Sequence, residues 1–150
     1  MVVTSRERAN TNKLVQQLRA LVVEDYSPFL DYVCSTLQRR ENVEIVGKAQ
    51  NGLDAVERAK ALQPDLIFLD IGMPGLNGIE AAGRIRTVAP AARIVFLTQE
   101  SASEIVYEAL SLGAWGYIHK PSVGQDLHRA LEGILQGRKF VSEGLDGHAL

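Results

Sequence analysis

The stretch Asp65–Gly78, DLIFLDIGMPGLNG, sets an unbroken apolar run against one carboxylate and then a loop crowded with turn residues. Its first part, Asp65 to Leu69, shows no polar alternation, which marks a strand buried on both faces, the pattern of a parallel sheet covered by helices. Asp70 follows that strand directly, and Ile79 to Val88 then carries a helical pattern ended by Pro90. Upstream, Arg19–Val23 (RALVV) is a second short apolar run, and it stops at the acidic pair Glu24-Asp25. Ser27 offers a helix cap with Pro28 at the first helical position, and Phe29, Leu30, Val33 and Leu37 recur at helical spacing. Val43–Ala49 reads as a strand and Gly52–Leu62 as a helix, with Pro64 as punctuation. Downstream, Arg93–Leu97 (RIVFL) repeats the buried-strand signature, and Ser101 or Ser103 caps a helix that ends at Gly113. Trp115–Ile118 forms a last strand before His119-Lys120-Pro121, and Ser122 caps a final helix ending near Gly137. Five strands alternating with five helices specify an α/β doubly wound parallel sheet.

Composition narrows the class. The 150 residues suit one domain, and 46% hydrophobic with 23% charged residues is an ordinary globular balance. Sixteen Lys+Arg against 18 Asp+Glu leave a net charge of −2, and no dense basic run exists to neutralise a phosphate backbone, so direct nucleic-acid contact is not expected. Cys34 is the single cysteine, which excludes an internal disulfide and fits a cytoplasmic home. Met1 to Ala20 lacks the apolar core of a secretion signal, and no apolar stretch reaches membrane-spanning length, so no membrane partner is expected.

In open parallel sheets ligands bind beyond the carboxyl ends of the strands. There the sequence delivers Glu24 and Asp25 after the first strand, Asp70 after the third, Thr98 after the fourth and Lys120 after the fifth. Three converging carboxylates repel one another, and an oxygen-ligated divalent cation, Mg²⁺, relieves that repulsion. A phosphoryl group arriving there meets metal, ammonium and hydroxyl on its oxygens and a carboxylate as nucleophile, which suits aspartyl phosphorylation.

These segments resemble the receiver domains of two-component response regulators, from about Leu18 to Gly137. The likeness rests on LVVED at Leu21–Asp25, DLIFLDIGMPGLNG, FLT at Phe96–Thr98 and GYIHKP at Gly116–Pro121, in that order and spacing. The stretch ALSLGAWGYIHK and the later GRKFVS are most similar to LuxR/NarL-type receivers. The resemblance implies a flavodoxin-like (CheY-like) sheet of five strands in the order 2-1-3-4-5 with five helices. It makes Asp70 the phosphoacceptor, with Asp25 and Asp70 as direct Mg²⁺ ligands, Glu24 acting through water and the Gly72 carbonyl completing the set. Lys120 matches the lysine that pairs with the phosphate, and its bond to Pro121 is expected to be cis. Thr98 matches the hydroxyl that moves toward the phosphate, and Tyr117 the switch aromatic that turns inward and remodels the face of the fourth helix, fifth strand and fifth helix. The implied partners are a sensor histidine kinase and, on phosphorylation, a second copy of the chain. The implied output is transcription through a LuxR-type DNA-binding domain.

Gln99 departs from the family, which usually places a small residue there; its long amide narrows access, and Glu100 adds negative charge at the mouth. Residues 1–17 read as an amino-terminal extension with helical spacing at Leu14, Val15 and Leu18, residues 18–137 as the receiver, and residues 138–150 as a tail or the start of a linker to an output domain. Trp115, His119 and His128 read as structural, the Ile105, Val106, Ala109, Leu110 stripe as core, and Arg84 and Arg86 as a solvated helix face. Competing functions are a phosphatase with an aspartyl-phosphate intermediate, disfavoured by Gly72 two residues beyond Asp70, and a flavodoxin-type cofactor module, disfavoured by acids in EDYSP. A pseudo-receiver working by constitutive dimerisation stays open because of Gln99, and a stand-alone regulator acting through protein contacts stays open beside a fragment of a longer DNA-binding regulator.

Overall fold

The computed structural model describes residues 17–99 and 103–143. The elements run β1 (Leu18–Val23), α1 (Ser27–Gln38), β2 (Val43–Ala49), α2 (Gly52–Leu62), β3 (Leu66–Asp70), α3 (Gly78–Val88), β4 (Arg93–Thr98), α4 (Ser103–Ser111), β5 (Gly116–His119), a 3-10 turn (Lys120–Ser122), α5 (Val123–Leu135) and β6 (Phe140–Val141). The sheet order is β2-β1-β3-β4-β5-β6 with every pair parallel. The expected α/β doubly wound sheet in the order 2-1-3-4-5 is therefore present, with one strand more.

Strand alternation sorts the core into two layers. Leu21, Val23, Ile67, Leu69, Ile94, Phe96 and Tyr117 face the small residues of α2, α3 and α4, among them Ala55, Ala59, Ala81, Ala82 and Ala109. Ala20, Val22, Leu66, Phe68, Val95, Leu97 and Ile118 face the larger residues of α1 and α5, including Leu30, Val33, Leu37, Leu127, Leu131 and Ile134. The central strands are buried on both faces, as the unbroken apolar run at Asp65–Leu69 requires. The stripe on α4 is core at Val106 and Ala109, with Ile105 and Leu110 half-buried against it.

Local chemistry sets the helix starts. Asn51 accepts the Asp54 N–H at 2.8 Å and Asn77 accepts the Glu80 N–H at 3.0 Å, each side chain satisfying one orphan donor of the first turn. Ser27 is not the cap expected of it: the capping position falls on Tyr26, and the Ser27 hydroxyl instead accepts the Gln50 amide at 2.7 Å. Ser122 does occupy the cap of α5, without a side-chain bond.

The sixth strand corrects the expected count. It lies past Gly137, where the sequence reading ended the receiver, and pairs Phe140 with Gly116 and Val141 with Tyr117. Gly137 at φ 77° turns the chain out of α5 and back toward the sheet, a conformation costly for any residue with a Cβ. Two residues are too few to carry a periodic signal. The expected amino-terminal helix, Glu100, Ser101 and residues 144–150 lie outside the described residues. Among the described residues no helix is long and apolar enough to cross a membrane.

Candidate phosphoacceptor site

Strands β1, β3, β4 and β5 each end at or just before a residue the sequence singled out, and the parallel register brings these ends together. The Glu24 N–H donates to the Ala49 carbonyl at 3.0 Å, which holds the chain leaving β1 against β2 and turns the Glu24 side chain inward. Asp70 closes β3 opposite Leu97, and Thr98 closes β4 opposite His119, so that Lys120 emerges beside both. α3 starts almost on top of Asp70: a Cβ at Gly78 would stand 2.2 Å from the Asp70 carbonyl, so a glycine there is what lets the DIGMPGLNG loop close under the carboxylate.

Carboxylate oxygens of Glu24, Asp25 and Asp70 all lie within 4.8 Å of one another. The Lys120 ammonium donates to both oxygens of Glu24, at 2.9 and 3.0 Å, and sits 3.3 Å from Asp70 Oδ1. Asp70 Oδ1 also accepts the Gly72 N–H at 3.1 Å. Glu24, Asp70 and Thr98 are buried, at 1%, 3% and 1% exposure, while Asp25 and Gly72 are open to solvent. These groups line a cleft of about 530 Å³, with Gln99, Tyr26, Phe29 and Pro121 forming its remaining wall.

Burial pushes the Glu24 carboxyl up to about 7; Lys120 pulls it down and the Asp70 carboxylate pushes it up further. Burial and the same Asp70 neighbour raise Asp25. Both acids are raised first by burial and then by the Asp70 carboxylate, so keeping all three ionised together is costly to the chain alone. The donor set is all hard oxygen, and one lysine faces three acids, so a small divalent cation fits the residues present.

One expectation changes. The Lys120–Pro121 bond is trans, not cis. Pro121 stands in the first turn of the 3-10 segment that runs into α5, where the fixed φ of proline suits helical entry and the trans form is the intrinsically favoured isomer. Tyr117 sits with its ring fully buried, 6.3 Å from the Phe96 centroid at 50°, on the sheet face away from α1 and α5. Gln99 does lie at the cleft wall, exposed.

Sequence reasoning missed Phe29. Its place in the helical spacing gave it no role at the site, yet the Lys120 ammonium lies 4.9 Å from its ring centroid, a cation–π contact. A position four residues beyond Asp25, in the first turn of α1, is the available signal. Two of the residues read as structural, Trp115 and His128, lie against arginines. The Arg93 guanidinium stacks 4.5 Å over half-buried Trp115, and His128 Nδ1 lies 3.3 Å from Arg40 Nη1.

Comparison with known proteins agrees with this geometry. The family description "response regulator receiver domain" matches residues 20–132. The nitrate/nitrite response regulator NarL of Escherichia coli K12 is 35% identical over 125 residues, 83% of this chain and 58% of that protein, so the chain spans little more than half the length of this relative. Among solved structures, a LuxR-family two-component response regulator from Aurantimonas sp. SI85-9A1 superposes with a TM-score of 0.83 at 30% identity, covering 89% of this chain and 96% of the other. The signal receiver domain of NarL from Mycobacterium tuberculosis superposes with a TM-score of 0.76 at 32% identity, covering 82% and 99%. The sheet order, the acidic cleft and these likenesses converge: the chain belongs to the response regulator receiver domains of two-component systems, with regulators of the NarL/LuxR type as its relatives.

Proposed function

We propose that Asp70 accepts a phosphoryl group from the phosphohistidine of a sensor kinase and that the chain is a phosphorylation switch. The observation that carries this reading is the Lys120 ammonium poised between Glu24 and Asp70 at the carboxyl edge of the sheet. A carboxylate oxygen of Asp70 attacks phosphorus as the phosphorus–nitrogen bond to the donor imidazole breaks, and the imidazole leaves with that electron pair and takes up a proton. Lys120 exchanges Glu24 for a phosphoryl oxygen, the Thr98 hydroxyl donates to another, and both stabilise charge that exists only once the phosphoryl group has arrived. Asp25 and Asp70 would hold Mg²⁺ directly, Glu24 through water and Gly72 through its carbonyl; when bound, the ion neutralises charge on the phosphoryl oxygens. Gln99 narrows the approach for the donor and tunes the rates.

Thr98 and Tyr117 pass the change to the face formed by α4, β5 and α5, favouring association with a second copy. In a longer cytoplasmic regulator, that association controls transcription through a LuxR-type DNA-binding domain following this one. The receiver itself makes no direct nucleic-acid contact. Intact-mass measurement after incubation with Mg²⁺ and acetyl phosphate tests the chemistry: one phosphoryl adduct is expected on the wild type, none without Mg²⁺, and none on Asp70→Asn. Mg²⁺ binding without any adduct from either acetyl phosphate or a phosphohistidine donor would favour a pseudo-receiver.

A further inference from the structure

The segment GRKFVS follows α5 with Gly137, Arg138 and Lys139 exposed, Phe140 and Val141 half-buried, and Ser142 buried. The Phe140 N–H donates to the Trp115 carbonyl at 3.0 Å and the Ser142 N–H to the Tyr117 carbonyl at 2.9 Å, so the chain runs along β5 toward the catalytic edge. Ser142 is fully buried. Its hydroxyl donates to Asp126 Oδ2 at 2.6 Å and accepts the His119 N–H at 3.0 Å. Asp126 is 4% exposed in the first turn of α5, with Arg129 Nη1 3.8 Å from its other oxygen. One hydroxyl therefore ties together the end of β5, the start of α5 and the chain beyond β6.

The amide it holds belongs to the residue immediately before Lys120. On its other side that residue is fixed by the pairing of His119 with Thr98. The backbone from which the lysine projects is thus clamped from both edges, and on the β6 side the clamp is a side chain rather than a continued strand ladder. A buried hydroxyl and a buried carboxylate are costly to desolvate, and an apolar pair would fill the space at less cost. A sheet edge in need of sealing is served by one more backbone pair and does not call for an aspartate turned inward.

We propose that Ser142, oriented by Asp126, is a positioning residue for phosphotransfer: it pins the His119 amide and so fixes the backbone that aims Lys120 at the phosphoryl group. The proposal rests on the functional reading above. Preorganisation acts on the transition state, where a lysine displaced from its aim loses part of its electrostatic benefit. It leaves donor binding and metal binding, which rest on other groups, untouched.

The test uses the full chain with Ser142→Ala and Asp126→Asn, acetyl phosphate over a range of concentrations, and amide hydrogen exchange at His119. Ser142→Ala is expected to speed exchange at the His119 amide and to lower the phosphorylation rate at saturating donor about 3- to 10-fold, the loss of one buried hydrogen bond. The half-saturating donor concentration and the Mg²⁺ affinity are expected to stay at their wild-type values. Faster exchange at His119 with an unchanged saturating rate would overturn the proposal and leave Ser142 as a seal of the sheet edge. Should Ser142→Ala fail to fold, Asp126→Asn decides, since it keeps the shape and weakens the acceptor: a reduced saturating rate supports positioning, and a wild-type rate overturns it. A wild type that takes no phosphoryl group from any donor would sink the functional reading itself, and the proposal with it.

Discussion

The two ends of the sheet use the same kinds of side chain to opposite effect. At the amino end Arg19 gives its backbone N–H to Asp65 Oδ2 at 2.8 Å and its guanidinium to the Leu62 and Gln63 carbonyls, each at 2.9 Å, while the Gln63 amide donates to the Lys60 and Val88 carbonyls. These groups cap the end of α2, where Gln63 leaves the helix at φ 47°. At the carboxyl end three acids crowd one lysine, two of the acids are buried, and Glu24 is pushed up to about 7. Charge that is half-buried and matched to backbone carbonyls holds the fold. Charge that is buried and left in excess marks the place where a ligand completes the balance.

The sharpest way to break that contrast is at Lys120. Lys120→Ala is expected to lower the rate of phosphorylation by acetyl phosphate by about 10²-fold or more, since it removes a charge aimed at the developing phosphoryl oxygens. Stopped-flow or time-resolved intact mass reads it, and a rate within a few-fold of wild type would place the lysine outside the chemistry. Arg19→Ala is the counterpart at the other end. It removes the guanidinium bonds to two carbonyls and is expected to cost about 1–2 kcal/mol of stability, with phosphorylation rates unchanged. Thermal unfolding and the same rate assay check both halves, and a slowed phosphorylation would dissolve the division between the two ends.

The smallest effect is the dependence of stability on pH in Mg²⁺-free protein. Glu24 titrates near 7 in the folded chain against 4.5 for an ordinary glutamate, so the folded state holds a proton that the unfolded state has lost. That contribution to stability is full below about pH 4.5 and is lost as pH rises through about 7. Glu24→Gln is expected to flatten this part of the profile of Tm against pH. A variant with the wild-type slope would mean that Glu24 is not strained by its surroundings.

Much of this was open to reading in the chain itself. The apolar runs at Arg19–Val23, Asp65–Leu69 and Arg93–Leu97 could only be central parallel strands, and their ends placed Glu24, Asp25, Asp70, Thr98 and Lys120 on one edge. What stayed hidden depends on tertiary placement. Phe140–Val141 is too short for periodicity, and Asp126 looks like an acid suited to a helix start, with nothing local to say that it turns inward to Ser142. Ser27 had the composition of a cap but found Gln50 across the cleft between β2 and α1. The cis bond expected at Pro121 came from likeness rather than from local chemistry, which favours the trans entry into α5.

The central claim is that the acid at the end of β3 is the group that carries the phosphoryl. Borohydride reduces an aspartyl phosphate to homoserine, so treating the phosphorylated protein and mapping its peptides by mass locates the modified residue. The account predicts homoserine at position 70 and nowhere else, in an amount that follows the phosphoryl adduct. Modification at Asp25 or Glu24 instead, or an adduct that survives with residue 70 unreduced, would contradict it.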